Sequence, residues 1–149
     1  MNIGDKFPDL LGLDANNEEI RLSNFPGRKF VVYFYPKDNT PGCTAEACSL
    51  NDGIDRLAAA GYQIIGVSKD SAVSHRKFTD KFGLKFPLVA DTETALCRFA
   101  GVWQQKKMAG REYMGIVRTT FLLAEDGTVE KIISKVNTKE AAAQILDTI

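Results

Sequence analysis

Two hydrophobic periods alternate along the chain. Residues 30–35, Phe30-Val31-Val32-Tyr33-Phe34-Tyr35, form an unbroken apolar run of aromatic and β-branched side chains, the composition of a buried strand. Gln63 to Ser68 reads as a second core strand, Phe86 to Ala90 as a shorter one, and Val117 to Leu123 as another, turning through Glu125-Asp126-Gly127 into Val129 to Ser134. Between them the spacing turns helical. One helix opens near Thr40 and stops at Ala60-Gly61, a second runs from Ser71 to Phe82 and closes at Gly83, and a third covers Thr92 to Phe99. The last runs from Thr138 to Ile149, with Ala141, Ala142, Ile145, Leu146 and Ile149 on its apolar side. Near the start, Leu10–Leu13 and Ile20–Leu22 read as short β segments around the Asp14-Ala15-Asn16-Asn17 turn, and Gly110 to Gly115 reads as a loop after Lys106-Lys107. Strands alternating with helices, followed by a hairpin and a helix, predict a layered α/β domain, a pattern that fits several topologies. A length of 149 residues without internal repeat, linker or low-complexity segment fits one domain, 1–149.

Charge removes some functional classes. Lys+Arg and Asp+Glu both number 19, so no global field draws in nucleic acid or anionic lipid. No apolar run approaches bilayer length, and the first residues, Met1-Asn2-Ile3-Gly4-Asp5, do not read as a secretory signal. The three cysteines are an odd number, which favours functional thiols in a reducing cytoplasm over a disulfide scaffold.

The chemistry concentrates where the first core strand ends. Pro36 halts that strand because it has no N–H for a ladder. Thr40 fits a helix N-cap and Pro41 the first helical position, which places Cys43 in the first turn. The first N–H groups of a helix lack partners and carry partial positive charge, so a thiolate there is stabilised, and the thiolate is the nucleophile. The ordinary alternative is a cysteine acting as an inert small hydrophobe. Cys48 lies five residues further along the same helix. At 100° per residue the two cysteines point about 140° apart, with Cα atoms about 8–9 Å apart, whereas a disulfide needs about 7 Å or less. If the two do bond, the first turns of the helix must unwind.

The run Tyr33-Phe34-Tyr35-Pro36, with Thr40-Pro41-Gly42-Cys43-Thr44, Glu46 and Cys48, resembles the active-site motif of the peroxiredoxins, in its bacterioferritin-comigratory or Q-type form. Phe99-Ala100-Gly101-Val102-Trp103 and Gly115 to Leu122 resemble later segments of that subfamily, and the likeness runs from Ile3-Gly4-Asp5 to the last helix. The resemblance implies a thioredoxin-like fold, with a central mixed β-sheet flanked by helices and a short N-terminal β-hairpin. It also implies a thiol-dependent peroxidase acting on hydrogen peroxide and organic hydroperoxides. Cys43 would become a sulfenic acid, Cys48 would close an intramolecular disulfide, and thioredoxin or a similar dithiol would restore both thiols. Thr40 and Arg118 would contact the peroxide and the reactive sulfur, with Pro36 and Gly42 lining the substrate position. No metal or organic cofactor is implied, and the assembly is a monomer, with a dimer as the alternative.

Other residues have plainer readings. Arg118, at the entrance of a strand, would ordinarily face solvent. Glu46 reads as a helix-surface carboxylate, Cys97 as a buried structural thiol beside Leu96 and Phe99, His75 as a surface residue, and Trp103 as a packing anchor. Two alternatives to the peroxidase remain. One is a zinc-stabilised binding module using Cys43, Cys48, Cys97 and His75, although paired C-x₂₋₄-C and H-x₃₋₅-H spacings are missing. The other is a general thiol–disulfide oxidoreductase, whose usual C-x-x-C is also missing.

Overall fold

The apolar run at residues 30–35 becomes the middle of the molecule. A computed structural model describes residues 1–149. In chain order the elements are β1 (Leu10–Leu13), β2 (Glu19–Arg21), β3 (Lys29–Phe34), α1 (Pro41–Asp52), α2 (Ile54–Ala59), β4 (Tyr62–Ser68), α3 (Ala72–Phe82) and β5 (Leu88–Ala90). They continue as α4 (Ala95–Phe99), β6 (Trp103–Met108), β7 (Arg111–Ile116), β8 (Thr119–Leu123), β9 (Val129–Ile133) and α5 (Ala141–Thr148). A five-stranded mixed sheet has the order β5-β4-β3-β8-β9, with β4 parallel to β3 and β5, and β8 antiparallel to β3 and β9. The N-terminal hairpin β1–β2 stands apart from it. No helix is long and apolar enough to cross a membrane.

Every residue from Phe30 to Tyr35 is fully buried because both faces of β3 are covered. Alternate side chains feed two separate cores. Phe30, Val32 and Phe34 join Phe7, Phe121, Leu123 and Cys97 on one face. Val31, Tyr33 and Tyr35 join Cys43, Ala47, Leu50, Phe78 and Ile145 on the other. The period-two alternation of a strand therefore decides which of its side chains meet Cys43.

Several predicted elements differ from those observed. The helix expected to run to Ala60 breaks at Gly53 into α1 and α2. A Cβ at position 53 would lie 2.5 Å from the Ala142 Cβ, so the break lets α5 pack closely. The helix expected from Thr92 begins at Ala95, because Asp91 accepts the N–H groups of Leu96 and Cys97 while Thr94 takes φ 57°. Residues 110–115, expected to be a loop, belong to a regular hairpin in which Met108 pairs with Arg111. Its two turn residues, Ala109 (φ 53°) and Gly110 (φ 79°), both take the left-handed conformation of a type I′ turn. Alanine is an unusual choice there, and apolar and charged residues mix on both faces of this largely exposed hairpin, so neither a turn signal nor a clean alternation marks it. The last helix begins with a turn of 3₁₀ at Thr138–Glu140 before α5.

Gly66 pairs with Tyr33 across β3 and β4. An alanine there would place Cβ 2.7 Å from Leu88 Cδ2 and 2.9 Å from Tyr33 Cε1. Gly66→Ala is expected to cost about 1–3 kcal/mol through overpacking. A urea titration should show a lower midpoint at unchanged slope; an unaltered midpoint would mean that the Tyr33 ring yields freely.

Candidate active site

Where β3 ends, the chain turns through Pro36 to Thr40 into α1. Asn39 takes φ 59°, a conformation asparagine tolerates better than most residues. Thr40 sits at the N-cap position with extended backbone, and Pro41 is the first helical residue. The expected side-chain cap is not formed. The Thr40 hydroxyl instead donates to the Lys37 carbonyl at 2.9 Å and closes the turn on itself. Cys43 is buried in the first turn of α1, at 1% exposure.

Arg118 arrives from the neighbouring strand. Phe34 pairs with Thr119 in the antiparallel β3–β8 ladder, so residue 118 lies just beyond the end of β3, where α1 begins. Its side chain is about three-quarters covered rather than solvent-facing. Nη2 donates to Cys43 Sγ at 3.3 Å and Nη1 to Glu46 Oε1 at 2.6 Å. Burial works against the Arg118 charge, but Glu46 and Cys43 outweigh it and raise its pKa further. Glu46 is wholly buried, contrary to the surface reading, because its position three residues after Cys43 puts it on the sheet-facing side of α1 with Ala47 and Leu50. Burial pushes its carboxyl up to about 7 against the opposing pull of Arg118. Gly42 makes room for the cation: a Cβ there would lie 3.2 Å from Arg118 Nη2. Thr40, Gly42, Cys43 and Arg118 thus meet at the start of α1, and Pro36 lies half-buried in the loop that leads into it.

Cys48 stands elsewhere on the same helix. It is half-buried, and burial together with the nearby Asp52 pushes its thiol up. All three cysteines are free, and α1 is continuous from Pro41 to Asp52, so Cys43 and Cys48 keep the helical separation of about 8–9 Å. Cys97 is buried on the opposite face of the sheet, its thiol pushed far up by burial and by Asp91. His75 is fully buried, not on the surface. It precedes Phe78 by three residues and Phe82 by seven, and that apolar stripe was the signal for its inward face. The proposed zinc ligands do not converge. Cys43 and Cys97 lie in different cores, and His75 hydrogen-bonds Asp38 and the Val89 carbonyl.

A model of the AhpC/TSA family matches residues 3–132. The chain belongs to that family. Within it, the chain is similar to the peroxiredoxin Bcp of Bacillus subtilis, at 44% identity over all of this chain and 95% of the relative. It is also similar to the peroxiredoxin Bcp of Escherichia coli, at 38% over 93% of this chain and 88% of that one. Among solved structures, the bacterioferritin comigratory protein of Xanthomonas campestris, described for its alkyl peroxide reduction activity, superposes with a TM-score of 0.83 at 38% identity, covering 97% of this chain and 96% of the other. A cysteine variant of the Xylella fastidiosa PrxQ gives 0.89 at 34%, covering 99% and 94%. This AhpC/TSA chain is therefore a peroxiredoxin of the Bcp/Q type with a thioredoxin-like fold, a peroxidase that works through thiols and draws on a thiol reductant.

Two outcomes follow from the geometry. Gly42→Ala replaces a poor helix former with the best one, so stability should not fall. Its Cβ crowds Arg118 Nη2, which Glu46 holds from the other side. Oxidation of Cys43 by peroxide, followed by stopped-flow fluorescence, is expected to slow about tenfold, equivalent to about 1.4 kcal/mol in barrier; an unchanged rate would mean that Arg118 shifts without consequence. The second outcome concerns pH. A raised carboxyl means that the folded chain binds this proton more tightly than the unfolded one, so this contribution is full below the ordinary carboxylate range and is lost as pH rises through about 7. Glu46→Gln is expected to flatten that part of the stability-versus-pH curve, measured as urea midpoints on either side of neutrality. An identical curve would place the titration elsewhere.

Proposed function

We propose that Cys43 is the peroxide-reacting thiol of this peroxidase and Cys48 its resolving thiol. The observation that carries the reading is the Arg118 guanidinium, 3.3 Å from Cys43 Sγ and pinned by a buried carboxylate at 2.6 Å. A fixed cation favours negative charge on the sulfur and holds an approaching peroxide oxygen at the same time. The helix start adds donors. The first turn of α1 leaves the N–H groups of Gly42 and Cys43 without intrahelical partners, while Thr44 N–H bonds to the Thr40 carbonyl. The Thr40 hydroxyl spends its hydrogen on Lys37, so its oxygen can accept one from the O–H of a hydroperoxide. Pro36 and Gly42 bound the same position.

The sulfur of Cys43 thiolate attacks the terminal oxygen of R–O–O–H. The S–O bond forms as the O–O bond breaks, and the leaving RO⁻ takes up a proton to depart as water or an alcohol, leaving Cys43 as a sulfenic acid. For Cys48 to reach it, α1 must unwind from its N-terminal end. Unwinding also removes the burial and the Asp52 neighbour that keep Cys48 a thiol. Cys48 thiolate then attacks the Cys43 sulfur, forming the disulfide and expelling hydroxide, which leaves as water. An external dithiol, thioredoxin or a similar protein, returns both thiols. The setting is a monomer in the cytoplasm.

Peroxide consumption with a recycling dithiol tests the assignment. Cys43→Ser is expected to abolish turnover, Cys48→Ser to stop after one equivalent with a trappable sulfenic acid, and Cys97→Ser to stay near the parent. Loss of single-turnover reduction in a folded Cys97→Ser protein would sink the assignment. Amide hydrogen exchange tests the motion: residues 41–50 should be protected in the dithiol form and lose protection when Cys43 and Cys48 are bonded. Equal protection with a confirmed bond would rule out unwinding.

A further inference from the structure

Behind the loop that carries Thr40 lies a buried polar cluster that the chemistry above does not use. Asp38 is 6% exposed and His75 is fully buried. The Asp38 carboxylate accepts from three side chains: Tyr35 Oη at 2.6 Å, Ser74 Oγ at 2.8 Å and His75 Nδ1 at 2.7 Å. His75 Nε2 lies 3.0 Å from the Val89 carbonyl, so the imidazole bridges Asp38 to β5. The Asp38 N–H donates to Asp70 Oδ2 at 2.8 Å, and Asp70 Oδ2 also accepts from Ser68 Oγ at 2.7 Å. One loop residue is thereby tied to the end of β4, to α3 and, through the imidazole, to β5.

The cluster has the ligand types of a cation site, with Asp38, Asp70 and His75 donor atoms within 4.8 Å of one another. Its groups already have protein partners, however: both Asp38 oxygens accept protein hydrogens, Asp70 Oδ2 accepts two, and His75 Nδ1 is engaged with Asp38. What it does hold is backbone. Asp38 lies between Lys37 and Thr40, whose hydroxyl closes the turn onto the Lys37 carbonyl. Fixing Asp38 therefore fixes the turn that aims the Thr40 oxygen and starts α1. A buried carboxylate left without its partners would be costly, so the anchor holds firmly while it is complete.

We infer that Asp38 and His75 are positioning residues, which hold the Lys37–Thr40 turn and the first turn of α1 in the closed arrangement that reacts with peroxide. The inference rests on the proposed roles of Cys43 and Cys48. It predicts opposite effects on the two chemical steps. Releasing the anchor misplaces Thr40 and slows oxidation, whereas it eases the unwinding that precedes disulfide formation.

The experiment is stopped-flow oxidation with hydrogen peroxide, which separates the peroxide-dependent oxidation from the peroxide-independent disulfide step. It compares the parent with Asp38→Asn, His75→Leu, His75→Gln and His75→Asn. Asp38→Asn and His75→Leu are expected to slow oxidation at least about tenfold, about 1.4 kcal/mol in barrier, while disulfide formation becomes faster. His75→Asn, whose amide sits where Nδ1 does, should restore much of the oxidation rate, and His75→Gln, whose amide reaches instead toward Val89, should not. Should His75→Leu fail to fold, Asp38→Asn and the His75→Asn/His75→Gln pair decide the matter. Oxidation rates within twofold of the parent, or both steps slowed by the same factor as in general destabilisation, would overturn the inference. A parent protein that peroxide does not oxidise at Cys43 would instead overturn the assignment of Cys43 on which it rests.

Discussion

The site depends on one cation kept out of water. Arg118 lies between a sulfur and a carboxylate, both buried, and neither contact would form if its side chain followed the usual course of an arginine at a strand entrance. Burying an ion pair gains little stability by itself, because desolvation offsets most of the attraction. Its value lies in geometry. With Glu46 gripping one end of the planar guanidinium, the other end is directed at Cys43 with little freedom to leave. The requirement spreads outward: position 42 must lack a side chain, Glu46 must face the sheet, and β8 must pair with β3 in the register that brings residue 118 to the end of β3.

The two-sided burial of β3 separates chemistry from packing. Side chains on one face end at Cys43 and Glu46, and those on the other join an apolar core that contains Cys97. The sheet between them insulates the third cysteine from oxidant, and Asp91 together with burial keeps it a thiol.

Much of this was legible in the chain. Phe30 to Tyr35 announced the central strand, Thr40-Pro41 the helix start, Ser71 and Gly83 the ends of α3, and Glu125-Asp126-Gly127 the last hairpin turn, each through a local rule that tertiary contacts did not override. What escaped depended on contacts distant in sequence. Glu46 and His75 are polar residues on otherwise amphipathic helices, and only their partners, Arg118 seventy-two residues away and Asp38 thirty-seven away, make burial tolerable. The Gly53 break exists for α5, nearly ninety residues later. The β6–β7 hairpin is silent in the sequence for a local reason: Ala109 occupies a left-handed position where asparagine or glycine would be diagnostic.

The break at Gly53 also limits how far a change in α1 can travel. Ala142 presses against position 53, and Asp38 is bonded to three other elements at the opposite end. An unwound α1 is thus a tether fixed at both ends, not a frayed terminus. Its ends stay at helix-length separation, which reduces the entropy it gains on opening and leaves only a short loop to close on return. Rewinding such a segment is a local event on the microsecond scale of helix formation, far faster than a search by a free chain. On the proposed cycle, the site can therefore reset its geometry as soon as both thiols are restored.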